Sequence, residues 1–207
     1  VGAPQLDDIN YKKIKIKTSL KIENKLINLK EKYLVVLQHP VFKDKNDYKD
    51  IFEKTLLACE KFSYKKYIIY PNYDPGYKSI IKTINKFKKK NCFVFKSIER
   101  QDFLTLMGHA QALVGNSSAG LLESSSLKVG VVNIGDRQNL REGNKNIFNA
   151  KYDEKDIYQK IKKAINIKEK INNIKNVHGD GRSAVRIYKA LKKIKKSQTL
   201  LTKNTTY

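Results

Sequence analysis

The run Gly115-Asn116-Ser117-Ser118-Ala119-Gly120 is the segment best suited to chemistry in this sequence. Glycines and small side chains let backbone amides approach a diphosphate closely, and two adjacent hydroxyls add further donors. The same run also reads as an ordinary strand-to-helix turn closed by a serine cap, so the turn alone leaves both readings open. Glu123, three residues on, is expected in the first turn or so of the following helix. There its carboxylate could accept from both hydroxyls of a ribose, or merely complement the helix dipole. Arg137, with Arg141 four residues later, could offer paired planar donors to phosphate oxygens and stabilise a departing diphosphate; either could equally be a surface salt-bridge partner. His39, held by Pro40, could donate to a phosphate oxygen or move a proton. His109 and His178 read as structural.

Other chemistries fit poorly. The run from Gly115 to Ala119 approaches a hydrolase nucleophile elbow, but Ala119 replaces its second glycine and no Asp and His partners follow in order. There is no Walker A lysine motif, and no GxGxxG follows the first strand. Cys59 and Cys92 lack metal spacing and fall in apolar patterns, where a reduced thiol packs as a small hydrophobe. Neither a metal nor a cofactor is expected.

Positioning these residues requires strands that end just before them. Short β-branched and aromatic runs alternate with longer amphipathic ones, the pattern of repeated βα units and a mostly parallel sheet. Strands are expected at Tyr33 to Leu37, Tyr67 to Tyr70, Cys92 to Phe95, Ala112 to Val114 and Val129 to Ile134. Such continuously apolar runs suit strands covered on both faces. Helices are expected from Asp47 to Phe62, with Phe52, Leu56, Cys59 and Phe62 on one stripe, and from Gly76 to Lys89, with Ile80, Ile84 and Phe87. Further helices read at Arg100 to His109, Gly120 to Leu127, one or two within Asp153 to Ile174, and Ser183 to Lys195. The last has Val185, Ile187, Tyr188, Leu191 and Ile194 for its apolar side. In open parallel sheets ligands bind beyond the carboxyl ends of the strands. The segments His39-Pro40, Pro71-Asn72-Tyr73-Asp74, Lys96-Ser97, the glycine-serine turn and Gly135-Asp136-Arg137 all fall there.

The sequence has 207 residues, 40% of them hydrophobic, enough for one sizeable α/β domain. Residues 1–30 read as a lead-in segment and Lys-rich amphipathic helix or linker, 31–196 as the Rossmann-like domain, and 197–207 as a frayed tail. Because the first residue is Val1, the chain is expected to be a fragment of a longer product. No apolar run is long enough to span a bilayer and none reads as a signal peptide, so a cytoplasmic protein without membrane attachment is expected. The formal charge of +23 would attract any polyanion. It is mostly lysine on solvated faces, without an aromatic-basic recognition motif, and no specific nucleic-acid partner is expected.

The sequence resembles the C-terminal domain of hydrolysing UDP-N-acetylglucosamine 2-epimerases of the sialic acid and nonulosonate type. The resemblance runs through GAPQLDDI, QHPV, YPNYDPG, VGNSSAGLLESSSLKVGVVNIGDRQNLREGN and HGDGRSAVRI. It implies one half of a two-domain GT-B-type architecture, also used by nucleotide-sugar glycosyltransferases, which are the alternative reading. It implies that Ser117, Ser118 and amides up to Gly120 bind the diphosphate, Glu123 the ribose, and Arg137 with Arg141 a phosphate. His39, as the catalytic candidate, and Asn72 would face the sugar. The implied reaction eliminates UDP across C1 and C2 and adds water to the glycal. Its main acid-base carboxylates belong to the other domain, so this chain alone should bind nucleotide and be largely inactive. A homo-oligomer of the complete protein is also implied. Gly130, where such proteins usually carry proline, and Ser124 to Ser126 depart from the pattern and leave open a diacetamido sugar or another nucleotide.

Overall fold

Tyr33–Leu37, the strand β3, is buried at every residue, as the run YLVVL requires of a strand with both faces covered. In the computed structural model, which describes residues 1–41, 48–87, 91–167 and 170–194, this strand lies at the centre of a six-stranded parallel sheet. Ahead of it come α1 (Tyr11–Lys15) and a hairpin of β1 (Ser19–Ile22) and β2 (Lys25–Asn28). After it run α2 (Tyr48–Glu60), β4 (Lys65–Ile69), α3 (Tyr77–Lys86), β5 (Cys92–Phe95) and α4 (Arg100–His109). The chain continues through β6 (Ala112–Gly115), α5 (Ser118–Leu122), β7 (Gly130–Ile134), β8 (Ile147–Ala150), α6 (Glu154–Asn166) and α7 (Ser183–Lys193).

Alternate residues of β3 divide the core. Tyr33, Val35 and Leu37 pack with Leu104 and Met107 of α4, with Ile14 of α1, and with Leu20, Ile22 and Ile27 of the hairpin. Leu34 and Val36 face the opposite way, toward Phe52 and Leu56 of α2, Ile80 and Ile84 of α3, and Ile157 and Ile161 of α6. Each such side chain contributes about 1.5–3 kcal/mol on burial, which is what holds the three layers together.

The sheet order β5-β4-β3-β6-β7-β8 is the Rossmann arrangement, with two strands added on one side of β3 and three on the other. The order therefore reverses between β3 and β6. Their closest approach is at the carboxyl edge, where Leu37 pairs with Gly115. Gly115 has φ +142°, and a Cβ there would stand 2.0 Å from the Leu37 carbonyl oxygen. Only glycine fits.

Five expected strands are present with small shifts of their ends, and three were not expected. A Lys-rich helix or linker was expected before β3. The structure gives a short Lys-rich helix, α1, followed by a hairpin, because Leu20, Ile22 and Ile27 alternate with exposed residues at the two-residue period of a strand. Glu23, at φ +52°, turns it. The edge strand β8 is four residues long and only its last is buried. The helix after β6 begins earlier than expected, at Ser118, because Ser117 is its N-cap, and it ends at Leu122 instead of Leu127. The ends expected at Asp47, Lys89 and Lys195, and the tail from 197, lie outside the described residues.

The last helix was read with an apolar side of Val185, Ile187, Tyr188, Leu191 and Ile194; in the structure Ile187 is half-buried and the other four are exposed. It is held by its first turn. Asp7 accepts from the amides of Ser183 (2.9 Å) and Ala184 (2.6 Å), Ala3 N–H donates to His178 O (2.7 Å), and Asp180 pairs with Arg186 through both oxygens. The backbone amides of Ala184 and Ser183 keep the Asp7 carboxyl below its ordinary range.

Gly115→Ala should lower stability by about 3 kcal/mol, a fall in Tm of roughly 6–12 °C. Circular-dichroism melts of the two chains would measure it, and an unchanged Tm would show that the two strand ends do not need this close approach.

Candidate functional site

Asn116 immediately follows the close approach of β3 and β6, and its side chain spans the gap. Its Oδ1 accepts from His39 N–H (2.7 Å), and its Nδ2 donates to His39 O (2.9 Å). Asn116 N–H donates to Leu37 O (3.3 Å). Its carbonyl receives Gln138 Nε2 (2.8 Å) and Arg137 Nη1 (3.4 Å). This buried amide thus ties together the segments after β3, β6 and β7 at the reversal of the sheet.

The segment after β4 joins through His39. Asn72 N–H donates to His39 Nδ1 (3.1 Å), and Asn72 Nδ2 donates to Asp74 Oδ2 (2.6 Å). Arg137 Nη2 lies 3.7 Å from that same oxygen, a long pair that leaves most of the guanidinium donors uncommitted. Because Nδ1 accepts a bond, a neutral His39 carries its proton on Nε2. Burial pushes the imidazole down to about 4, with the Arg137 charge adding to the effect and Asn72 and Asp74 opposing it. At neutral pH the ring is therefore an uncharged donor.

Ser117 caps α5 through a long bond from Ala119 N–H to its Oγ (3.4 Å), and Ser118 beside it is half-buried. Gly120 has a packing role. Its amide is used by Ser117 O (3.0 Å), and a Cβ there would stand 2.9 Å from Val131 Cγ1, so its lack of a side chain seats α5 on β7. Arg141 is exposed at the rim of a separate polar cavity of about 380 Å³, and its side chain makes none of the bonds that join the cluster.

Glu123 is not in the first turn of α5 but at its C-cap, because the helix starts at Ser118 and is only five residues long. Its carboxylate is buried, with Oε1 receiving Arg100 Nη1 (2.9 Å) while Oε2 has no partner. Burial raises its pKa, and Arg100 works against that rise. Beside Asn72 a cleft of about 660 Å³ is lined by Leu37, Ile69, Pro71, Ile98 and Phe103, apolar walls suited to a flat ring. His109, read as structural, has Nε2 2.9 Å from Ile14 O, joining α4 to α1. Cys59 is buried and its thiol is pushed up to about 12 by desolvation. Among the described residues no group of three His, Cys, Asp or Glu could hold a metal ion, and no helix is long and apolar enough to cross a membrane.

The structure thus joins His39, Asn72 and Arg137 in one hydrogen-bonded cluster, with Ser117 and Ser118 next along the chain. It leaves Glu123 on a neighbouring network and Arg141 apart. Asn116, Asp74, Gln138 and Arg100 were not singled out from sequence. The first three sit beside a residue or in a loop that was, while Arg100 was only the start of an expected helix, and only the fold reveals which atoms they bridge.

A parallel sheet of this order, with polar strand-end loops gathered at its reversal, defines a Rossmann-like domain of the GT-B type. Residues 1–192 match the UDP-N-acetylglucosamine 2-epimerase family, and the chain belongs to it. The hydrolysing UDP-N,N′-diacetylbacillosamine 2-epimerase of Legionella pneumophila is 30% identical over 100% of this chain and 54% of its own length. The UDP-N-acetylglucosamine 2-epimerase of Neisseria meningitidis is 32% identical over 66% of this chain and 36% of its own. In structure, the Methanocaldococcus jannaschii UDP-GlcNAc 2-epimerase, in complex with UDP-GlcNAc and UDP, superposes with a TM-score of 0.68 over 93% of this chain and 54% of that one, at 20% identity. The chain therefore spans about half the length of the Legionella relative.

The neutral state of His39 has a consequence for stability. Its folded pKa is depressed below the value near 6.5 of an unfolded histidine, so above pH 6.5 both states are uncharged and nothing is lost. As pH falls from 6.5 toward 4 the unfolded chain binds a proton that the folded chain refuses, and stability declines. Urea midpoints from pH 7.5 to 4 should show a shallower decline for His39→Asn than for the parent chain; parallel curves would count against a buried neutral imidazole.

Proposed function

We propose that this chain supplies the UDP-binding half of a hydrolysing UDP-N-acetylglucosamine 2-epimerase located in the cytoplasm, active when joined to a second, N-terminal domain. The substrate is UDP-GlcNAc or a diacetamido relative, and the products are UDP and a free ManNAc-type sugar. One observation carries the reading: donors from four strand-end loops converge at the reversal of the sheet, where an anion is the natural occupant. The alignment of the whole chain with a relative named as hydrolysing supports the reaction type.

In this reading Ser117 and Ser118, with the amides that open α5, hold the diphosphate, and the loosely held Arg137 guanidinium swings onto its oxygens. The apolar cleft beside Asn72 takes the uracil. The unpartnered Oε2 of Glu123 accepts from a ribose hydroxyl. His39 donates from Nε2 to a phosphate oxygen, and Asn72 lies toward the sugar. As the C1–O bond breaks, its electron pair leaves with UDP, and Arg137 and His39 stabilise the charge that develops there. A base from the N-terminal domain removes the C2 proton, giving a glycal, and water then adds across the double bond. The chain by itself binds nucleotide without turning it over.

Thermal unfolding tests this. UDP at about a hundred times its Kd should add on the order of 2.7 kcal/mol, visible as a rise in Tm that other nucleoside diphosphates do not match and that Glu123→Ala weakens. With the complete protein, UDP and free amino sugar should appear without any acceptor. Release only when an acceptor sugar is added would replace the epimerase reading with a transferase.

A further inference from the structure

Arg100, the first residue of α4, joins the N-terminal segment to Glu123 through a single guanidinium, and Gln101 beside it also donates to Asp8 Oδ2 (3.3 Å). Its Nη1 donates to Glu123 Oε1 (2.9 Å). On its other side Nε and Nη2 form a two-pronged pair with Asp8 Oδ2 and Oδ1 (2.7 and 2.9 Å), and Nη2 also donates to Gln5 O (2.6 Å). The arginine is fixed in orientation from the N-terminal segment and presents a single N–H to the carboxylate. Glu123 is almost wholly buried; among the described residues one of its oxygens is bonded and the other has no partner.

A buried carboxylate with one committed and one open oxygen is set up to accept a single further donor, provided that it remains ionised. We propose that Arg100 is a positioning residue for nucleotide recognition: braced by Asp8 and Gln5, it fixes one oxygen of Glu123 so that the other is aimed at a ribose hydroxyl. The inference rests on the reading in which Glu123 meets the ribose. Arg100 itself does not touch the nucleotide; it acts through Glu123.

Two physical effects support the assignment. A planar guanidinium held at both ends loses little freedom in bonding, and a bond from a charged donor is stronger than one from a neutral group. The charged groups facing Glu123 are Arg100 from α4 and Asp8 from the N-terminal segment. Burial and Asp8 both favour the protonated acid, and Arg100 is the group that opposes them. Asp8 in turn is held in its charged form by Arg100, which limits how far it disturbs Glu123.

The test compares UDP with 2′,3′-dideoxy-UDP on the 207-residue chain by titration calorimetry, using the ratio of the two affinities, which isolates the ribose hydroxyls. The parent chain should prefer UDP. Arg100→Gln should reduce that preference on the order of tenfold while leaving 2′,3′-dideoxy-UDP affinity unchanged. Arg100→Lys should restore part of it, and Asp8→Asn should give a smaller loss of the same kind. In Arg100→Gln the preference should also fade at a higher pH than in the parent. Equal losses for both ligands would mean that Arg100 only supports the fold, and an unchanged ratio would mean that it does not position Glu123; either overturns the proposal. Glu123→Gln separates the two levels. If it leaves the ratio intact, or if the parent chain shows no preference for UDP, the ribose reading itself fails. If it abolishes the preference while Arg100→Gln does not, only the role of Arg100 is lost.

Discussion

The reciprocal pair of hydrogen bonds between the Asn116 side chain and the His39 backbone is the interaction on which the site depends. A parallel sheet that grows in both directions from one strand leaves a gap where neighbouring connections diverge, and backbone groups at that gap lose their ladder partners. Asn116 satisfies an N–H and a C=O of the β3 segment at once. Its own carbonyl then gathers Gln138 and Arg137 from beyond β7. An alanine at 116 would remove both side-chain bonds and leave the two His39 backbone groups facing a cavity. The glycine before it matters for the same reason, since the amide reaches His39 only if the strand ends can nearly touch.

Around this centre the charges are arranged unevenly. The carboxylates that the site uses are each engaged by a cation or an amide on one side, Asp74 by Asn72 and Arg137, and Glu123 by Arg100. Arg137 is less committed: its guanidinium makes long contacts, 3.4 Å to Asn116 O and 3.7 Å to Asp74 Oδ2, while the neutral His39 ring has Nδ1 engaged by Asn72 N–H. A loosely held guanidinium beside the amides that open α5 favours an anion before any ligand-specific contact is made. The large positive charge of the chain acts in the same direction but without selectivity.

Much of this was legible in the sequence, for identifiable reasons. Short, β-branched and aromatic apolar runs such as YLVVL and CFVF read as strands, the first fully covered and the second at the sheet edge, and the small residues around Ser117 mark a strand-to-helix turn. The hairpin before β3 was missed because its lysines outweighed a period-two alternation carried by only Leu20, Ile22 and Ile27. Glu123 was assigned to the family's ribose position, yet its place at a helix end and its bond to Arg100 depend on where a five-residue helix stops, which propensity does not resolve. Arg100 and Asp8 lie 92 residues apart and nothing in local pattern links them. The sequence does not reveal that Gly120 also seats α5 on β7 or that Arg141 borders a separate polar cavity, because both depend on long-range packing.

The capping of α7 by Asp7 joins residues 176 apart. Closing a loop of that length costs entropy that only the finished domain can offset, and among the described residues of α7 only Ser183 is fully buried. The order of folding follows: the sheet and its two layers assemble first, and the last helix docks onto the N-terminal segment after everything between them is in place. Reversed, the same logic makes this helix the region that opens with the least disturbance to the rest, so its amides should exchange with solvent on a shorter timescale than those of β3 or β6.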